Sequence, residues 1–283
     1  AFGQDPPVPA PGAAGSKAKD SGLTGVLGEE EFKALHDLKE GTVPNLLGSM
    51  VDVPNGGKAY LSLPKDAKPG FRGRWALCLG AILVATFAVY TPSLDNGFTN
   101  WDDPMYVSAN KLIVNPDFMT ILTTSIGGNY HPLTVWSLAL NYKISGLAPA
   151  SYHWLNLLLH LANTALVFFF VRRLSGGRFW TTVATSLFFG IHPMHVESVA
   201  WIAERKDVLY SFFFLLGLLA YLRHQTARGW VWLFAAWIAF MLSMGAKPAA
   251  IVFPLALAAI DWFRRRPLTR SAVLEKLPFF AVS

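Results

Sequence analysis

This 283-residue chain is short of two things that soluble proteins use freely. It has one cysteine, Cys78, and only 15% of its residues are charged. A single cysteine excludes a disulfide framework or a cysteine-ligated metal cluster within one chain. The scarcity of charge, beside 53% hydrophobic residues, excludes an ordinary soluble domain, because the apolar residues come in long blocks. No HExxH occurs, so the helical zinc-hydrolase pattern is missing as well.

The charge that is present is divided. Residues 1–70 hold 7 Lys/Arg and 9 Asp/Glu, a net of −2, whereas residues 71–283 hold 17 and 9, a net of +8. The overall +6 therefore belongs to the hydrophobic part, where it sets membrane orientation rather than binding nucleic acid.

Residues 1–22 are rich in Pro, Gly, Ala and Ser and are expected to be disordered. Residues 28–40 are predicted to form a short amphipathic helix, with acids in its first turn and Phe32, Leu35 and Leu38 on one face. The stretch "SMVDVPNGGKAYLSLP" reads as a hairpin around Asn55-Gly56-Gly57. It weakly resembles the N-terminal edge of secreted dienelactone-hydrolase-like proteins over about forty residues. That resemblance brings no catalytic element, because Cys78 lies in an apolar run. Residues 1–70 thus read as an extension, and the chain reads as a fragment or processed product.

From residue 74 the pattern becomes that of an all-α polytopic membrane protein. Six spans are predicted, at about 75–91, 151–171, 179–199, 207–222, 229–244 and 248–263, with a seventh beginning near Leu277. Placing the start of the first span in the cytoplasm puts 11 Lys/Arg on the inner side, among them Arg172, Arg223 and Arg264 to Arg266. The opposite side then holds 5: Lys111, Lys143, Arg205, Lys206 and Lys247. The positive-inside rule favours this orientation. The acids Asp95, Asp102, Asp103, Asp117, Glu197, Glu204 and Asp207 then fall outside.

The loop 92–150 is long, and long loops tend to carry function. Its "NWDDP" holds paired carboxylates. Asp103 before Pro104 suits a helix N-cap, while Asp102 is free to act as a general base toward a hydroxyl. Residues 133–144 have helical spacing and suit a membrane interface. In "GIHPMHVESVAWIAERKDVLY", His192, His195 and Glu197 raise a metal site, but Pro193 disturbs the helix that would align the histidines. Hydrogen bonding or substrate contact is the other reading. Arg205 and Lys206 are cations on the side that should lack them. They either pair locally with Glu204 and Asp207 or face a phosphate. Lys247, in "MGAKPAA", either snorkels or does the same.

The stretches "NGFTNWDDPMYVSAN", "GGNYHPLTVWSLALNYKISGLAPASYHWLNLLLHLANTALVF", "LFFGIHPMHVESVAWIAERKDVLYSFFFLLGLLAYLR" and "MGAKPAAIVFPLALAAIDW" together resemble a known group. It is the membrane half of bacterial tetratricopeptide-repeat glycosyltransferases related to the transmembrane protein O-mannosyltransferases, within the C-type superfamily. The resemblance covers residues 72–283. It implies a polyprenyl-phosphate sugar donor, a protein or glycan hydroxyl acceptor, inverting transfer, and a bacterial inner membrane with the active face outside. It makes Asp102 and Asp103 the catalytic candidates. Its motifs also cover His192, His195, Glu197, Arg205, Lys206 and Lys247, and these, with His131, are read here as candidate substrate or lipid-phosphate contacts. It fixes no cofactor and leaves a divalent metal open. A non-catalytic scaffold whose further repeats bind partners, or a catalytically incomplete fragment, stays open too.

Overall fold

The computed structural model describes residues 51–53, 57–59, 69–227 and 229–283. The expected disorder of 1–22 and the helix over 28–40 lie outside these residues. The chain divides into two compact units, Ala1–Leu61 and Ser62–Ser283. In the first, β1 (Val51–Val53) pairs antiparallel with β2 (Gly57–Ala59), Val53 opposite Gly57, as the hairpin reading anticipated.

In the second unit the described residues are helical. α1 is Pro69–Tyr90, followed by a 3-10 turn at Thr91–Asp95. The long connection that follows contains a π-helical turn at Pro104–Ser108, α2 (Lys111–Val114), α3 (Phe118–Thr123) and α4 (Pro132–Ser145). Then come α5 (Pro149–Leu174), α6 (Phe179–Ile191), α7 (Val196–Ala200), α8 (Arg205–Ala227) and α9 (Trp230–Ala246). α10 (Phe253–Phe263), α11 (Arg270–Leu274) and α12 (Leu277–Val282) complete it.

Among the described residues, three segments are long and apolar enough to cross a membrane: Gly73–Asp95, Pro149–Leu174 and Ile202–Ala227. Phe179–Ile191, Trp230–Ala246 and Pro248–Phe263 are apolar but shorter. The third predicted span, 179–199, is the one that departs most. Its helix stops at Ile191, because Pro193 cannot continue it, and 13 residues rise only about 20 Å against the roughly 30 Å of a bilayer core.

The packing is that of a protein whose outside is apolar. Leu77, Val84, Trp180, Phe188, Val231 and Phe234 are exposed. The buried stripe of α5 holds Asn156, His160, Asn163 and Thr164; the last two follow His160 by three and four residues, so all turn to the interior. Asn156 Nδ2 donates to Trp201 O at 3.0 Å and Asn163 Nδ2 to Val208 O at 2.8 Å. A ring nitrogen of His160 bonds Gly190 O at 2.9 Å. Polar groups facing hydrocarbon would be left unsatisfied, so they pair across helices instead. These bonds fix the segment 200–208 against α5, and that segment carries Arg205 and Lys206.

Candidate active site: an acid and lysine cluster at one end of the bundle

The site is assembled from the loop around Asp102, the turn at 201–207 and the turn at Lys247. Asp103 joins the first two. Its Oδ2 accepts from Thr99 N at 2.7 Å and Thr99 Oγ1 at 3.0 Å, and its Oδ1 accepts from Ala203 N at 2.8 Å. Asp103 is fully buried. It occupies the N-cap position of the turn at Pro104–Ser108, yet its side chain makes no capping bond there. The capping reading therefore needs correction: this carboxylate clamps two loops together and is spent on three donors.

The clamp sets Asp102 beside Lys206, with Nζ 4.0 Å from its Oδ2. The Asp102 side chain keeps 40% of its exposure, so it is the accessible member of the acidic pair. Lys206 Nζ contacts Glu204 Oε1 at 2.7 Å and lies 4.9 Å above the ring of Tyr106. Lys247 Nζ lies 3.8 Å from Glu204 Oε2 and pairs with Asp207. Glu204 thus places one oxygen toward each lysine. Lys206 and Lys247, two of the three cations that sequence reasoning took as out of place, have acidic partners, and three acids outnumber two lysines here.

His131 lies beneath, stacked on Tyr106 with ring centres 5.1 Å apart. Burial, with Lys206 and Lys247 adding to it, pulls the His131 imidazole down to about 4, so it is neutral near pH 7. Burial, aided by Asp102 and Glu204, pushes the Tyr106 phenol up to about 12, so it keeps its proton. Burial opposes the charge of Lys247, but Asp207 and Glu204, with Tyr210, together hold the ammonium above its ordinary range. Thr134 Oγ1 donates to Ala246 O at 2.9 Å, tying α4 to the turn that presents Lys247.

Arg205 is placed elsewhere. It is fully buried, and its guanidinium donates to Ser137 Oγ at 3.1 Å, Asn141 Oδ1 at 3.0 Å, Tyr152 O at 3.0 Å and Asn156 Oδ1. None of these acceptors is a carboxylate. Its donors point inward, away from Asp102.

His192 and His195 form a neighbouring group. Their rings are 6.1 Å apart, and His195 lies 5.6 Å from His160. His192 Nδ1 accepts from Met194 N at 3.2 Å and caps the 3-10 turn at Pro193–His195. Glu197 is exposed. Ser198 Oγ donates to Asp207 Oδ2 at 3.1 Å and connects this group to the lysine cluster. Among the described residues, no three His, Cys, Asp or Glu side chains group as metal ligands. Sequence reading had picked out neither Tyr106 nor the bridging role of Glu204. Tyr106 carries no charge, and the bridge requires the turn at 247 to fold over residue 204.

No protein-family model matches the chain, and no solved structure matches it significantly. Among curated proteins it is similar to Protein O-mannosyl-transferase TMTC2 of Mus musculus, with 40% identity over 206 residues, 67% of this chain and 24% of that protein. It is 36% identical over 155 residues to Protein O-mannosyl-transferase Tmtc1 of Drosophila melanogaster, covering 51% of this chain and 18% of the relative. For Protein O-mannosyl-transferase TMTC4 of Homo sapiens the figures are 30% over 184 residues, 56% and 24%. The chain spans about a quarter or less of the length of these relatives. The apolar helices and the graded identities agree with the motif reading: this chain is a relative of the TMTC protein O-mannosyl-transferases.

Proposed function

We propose that this chain is the membrane portion of a glycosyltransferase that moves a sugar, mannose by analogy with its relatives, from a polyprenyl-phosphate donor to a hydroxyl of a protein. The observation that carries the reading is the accessible carboxylate of Asp102 held 4.0 Å from Lys206, in a chain related to protein O-mannosyl-transferases.

The step is a single displacement. Asp102 takes the proton of the acceptor hydroxyl. The oxygen forms a bond to the anomeric carbon as the bond from that carbon to the phosphate oxygen breaks. The electron pair leaves with the polyprenyl phosphate. Lys206 and Lys247 supply positive charge near the departing phosphate, and Glu204 and Asp207 hold them until the donor arrives. Arg205 is left out of the phosphate contacts, because its donors are used inside the fold. Asp103 is a positioning residue. The site lies on the outer face of a bacterial inner membrane in this reading, although the relatives named are animal proteins.

The test is Asp102→Asn in the full-length protein, assayed for sugar transfer from a polyprenyl-phosphate mannose donor. Loss of transfer with normal membrane insertion is expected. Wild-type transfer by this variant removes Asp102 from the base role.

A further inference from the structure

At the other end of the bundle, α10 runs out in Trp262-Phe263-Arg264-Arg265-Arg266. The helix is stopped by Arg265, whose φ is 51°, the one positive φ among the described residues that are not glycine. Arg265 N donates to Trp262 O at 3.0 Å and Arg266 N to Asp261 O at 2.9 Å, the paired bonds of a left-handed helix cap. Glycine takes this position without crowding, and an arginine does not. A costly residue at a special backbone position points to a use for its side chain.

The reversed turn sends the other cations inward. Arg266 meets Tyr221 Oη at 3.2 Å and Glu275 Oε2 at 2.7 Å, and Lys276 pairs with Asp261. Arg264 Nη1 donates to Gln225 Oε1 at 2.9 Å. Arg265 is exposed, and its side chain makes no hydrogen bond or ion pair with another described residue. It borders a cavity of about 630 Å³ whose walls include Ala258, Trp262, Leu268, Leu277 and Phe280. Trp262 and Leu268 are 82% and 89% exposed. Five cations, Arg264, Arg265, Arg266, Arg270 and Lys276, meet two acids, Asp261 and Glu275, at this end.

We propose that this cavity binds an anionic phospholipid, with its phosphate on Arg265 and a chain along Trp262, Leu277 and Phe280. An apolar wall rimmed by surplus positive charge matches an amphiphilic anion in both parts. Free phosphate would leave the large apolar groups beside Arg265 without a partner. The arginine-rich end is also the one that the positive-inside rule turns to the leaflet holding anionic lipids. The site is independent of the transfer chemistry at Asp102.

The experiment measures the melting temperature of the purified chain in detergent with short-chain phosphatidylserine, short-chain phosphatidylcholine or inorganic phosphate. Phosphatidylserine is expected to raise it by several degrees, and the other two are expected to leave it unchanged. Arg265→Gly suits the left-handed backbone, so it is expected to fold at least as stably without lipid and to lose the phosphatidylserine shift. An equal shift with phosphatidylcholine, an equal shift with inorganic phosphate, or a shift retained in Arg265→Gly would each overturn the proposal.

Discussion

The carboxylate of Asp103 accepts a 2.8 Å hydrogen bond from the backbone N–H of Ala203, a hundred residues away in the chain. With the two bonds from Thr99, it locks the loop carrying Asp102 onto the turn carrying Glu204 and Lys206. Adjacent acids therefore have different jobs, one structural and one accessible.

Asp103→Ala leaves the N–H groups of Thr99 and Ala203 without their acceptor. Each abandoned donor costs about 1–3 kcal/mol when buried. The expected result is a clear fall in melting temperature together with loss of transfer. Asp102→Asn is expected to lose transfer at an unchanged melting temperature. Equal thermal stability of Asp103→Ala and wild type would show that the clamp does not hold the loops.

Arg205 separates an interior strut from a phosphate contact. Its four acceptors come from α4 and α5, so it braces α8 against both. A lysine presents a compact ammonium and cannot satisfy that fork of acceptors. Arg205→Lys is expected to lower stability by about 1–3 kcal/mol, from acceptors left unpaired. Among molecules that stay folded, the KM for the lipid-linked donor is expected to stay near wild type. A large KM increase without loss of stability would return Arg205 to the donor site.

Much of this was legible in the residues, and the misses have physical causes. Apolar blocks announced the helices, since backbone groups in lipid must pair within a segment. Length was misjudged at 179–199, because "GIHPMH" is apolar enough to extend a hydropathy run although Pro193 ends the helix. The hairpin was readable from Asn55-Gly56-Gly57, and its strands pair in antiparallel register. Asp102 and Lys206 could be singled out locally, but their contact joins residues 104 positions apart, which no local pattern encodes. The same holds for Glu204, whose second lysine arrives from residue 247. Arg205 was misplaced for a different reason. Adjacent residues at the start of a helix point about 100° apart, so Arg205 turns to the core while Lys206 faces Asp102.

Gly190 sits where α1, α5 and α6 meet. A Cβ there would lie 2.3 Å from Thr86 Oγ1 and 3.1 Å from Thr164 Cγ2. Both threonines are fully buried and hydrogen-bonded to their own helices, to Ile82 O and His160 O. Neither can swing away without breaking a bond. Gly190→Ala is expected to cost about 1–3 kcal/mol by overpacking. Thr86→Ala in the same chain removes the nearest atom and is expected to recover part of the loss. Thermal unfolding of the single and double variants checks this, and an unaltered single variant would mean that the helices separate easily.

His131 gives the lysine cluster a pH dependence whose sign follows from its surroundings. Its pKa falls from 6.5 to about 4 on folding, first because it is buried and then because Lys206 and Lys247 repel a third positive charge. The unfolded chain therefore binds the proton more readily, and stability is full above about pH 6.5. It drains away as pH falls from 6.5 toward 4, by up to about 3 kcal/mol for a shift of this size. His131→Phe keeps an aromatic ring against Tyr106 and has nothing to titrate. Nε2 of His131 has no hydrogen-bond partner, so the replacement abandons no bond from that atom. Melting temperatures of both proteins measured from pH 7.5 to 4.5 are expected to diverge, with wild type falling faster. Parallel curves would mean that His131 takes up its proton inside the fold without penalty, and that the two lysines do not bear on it.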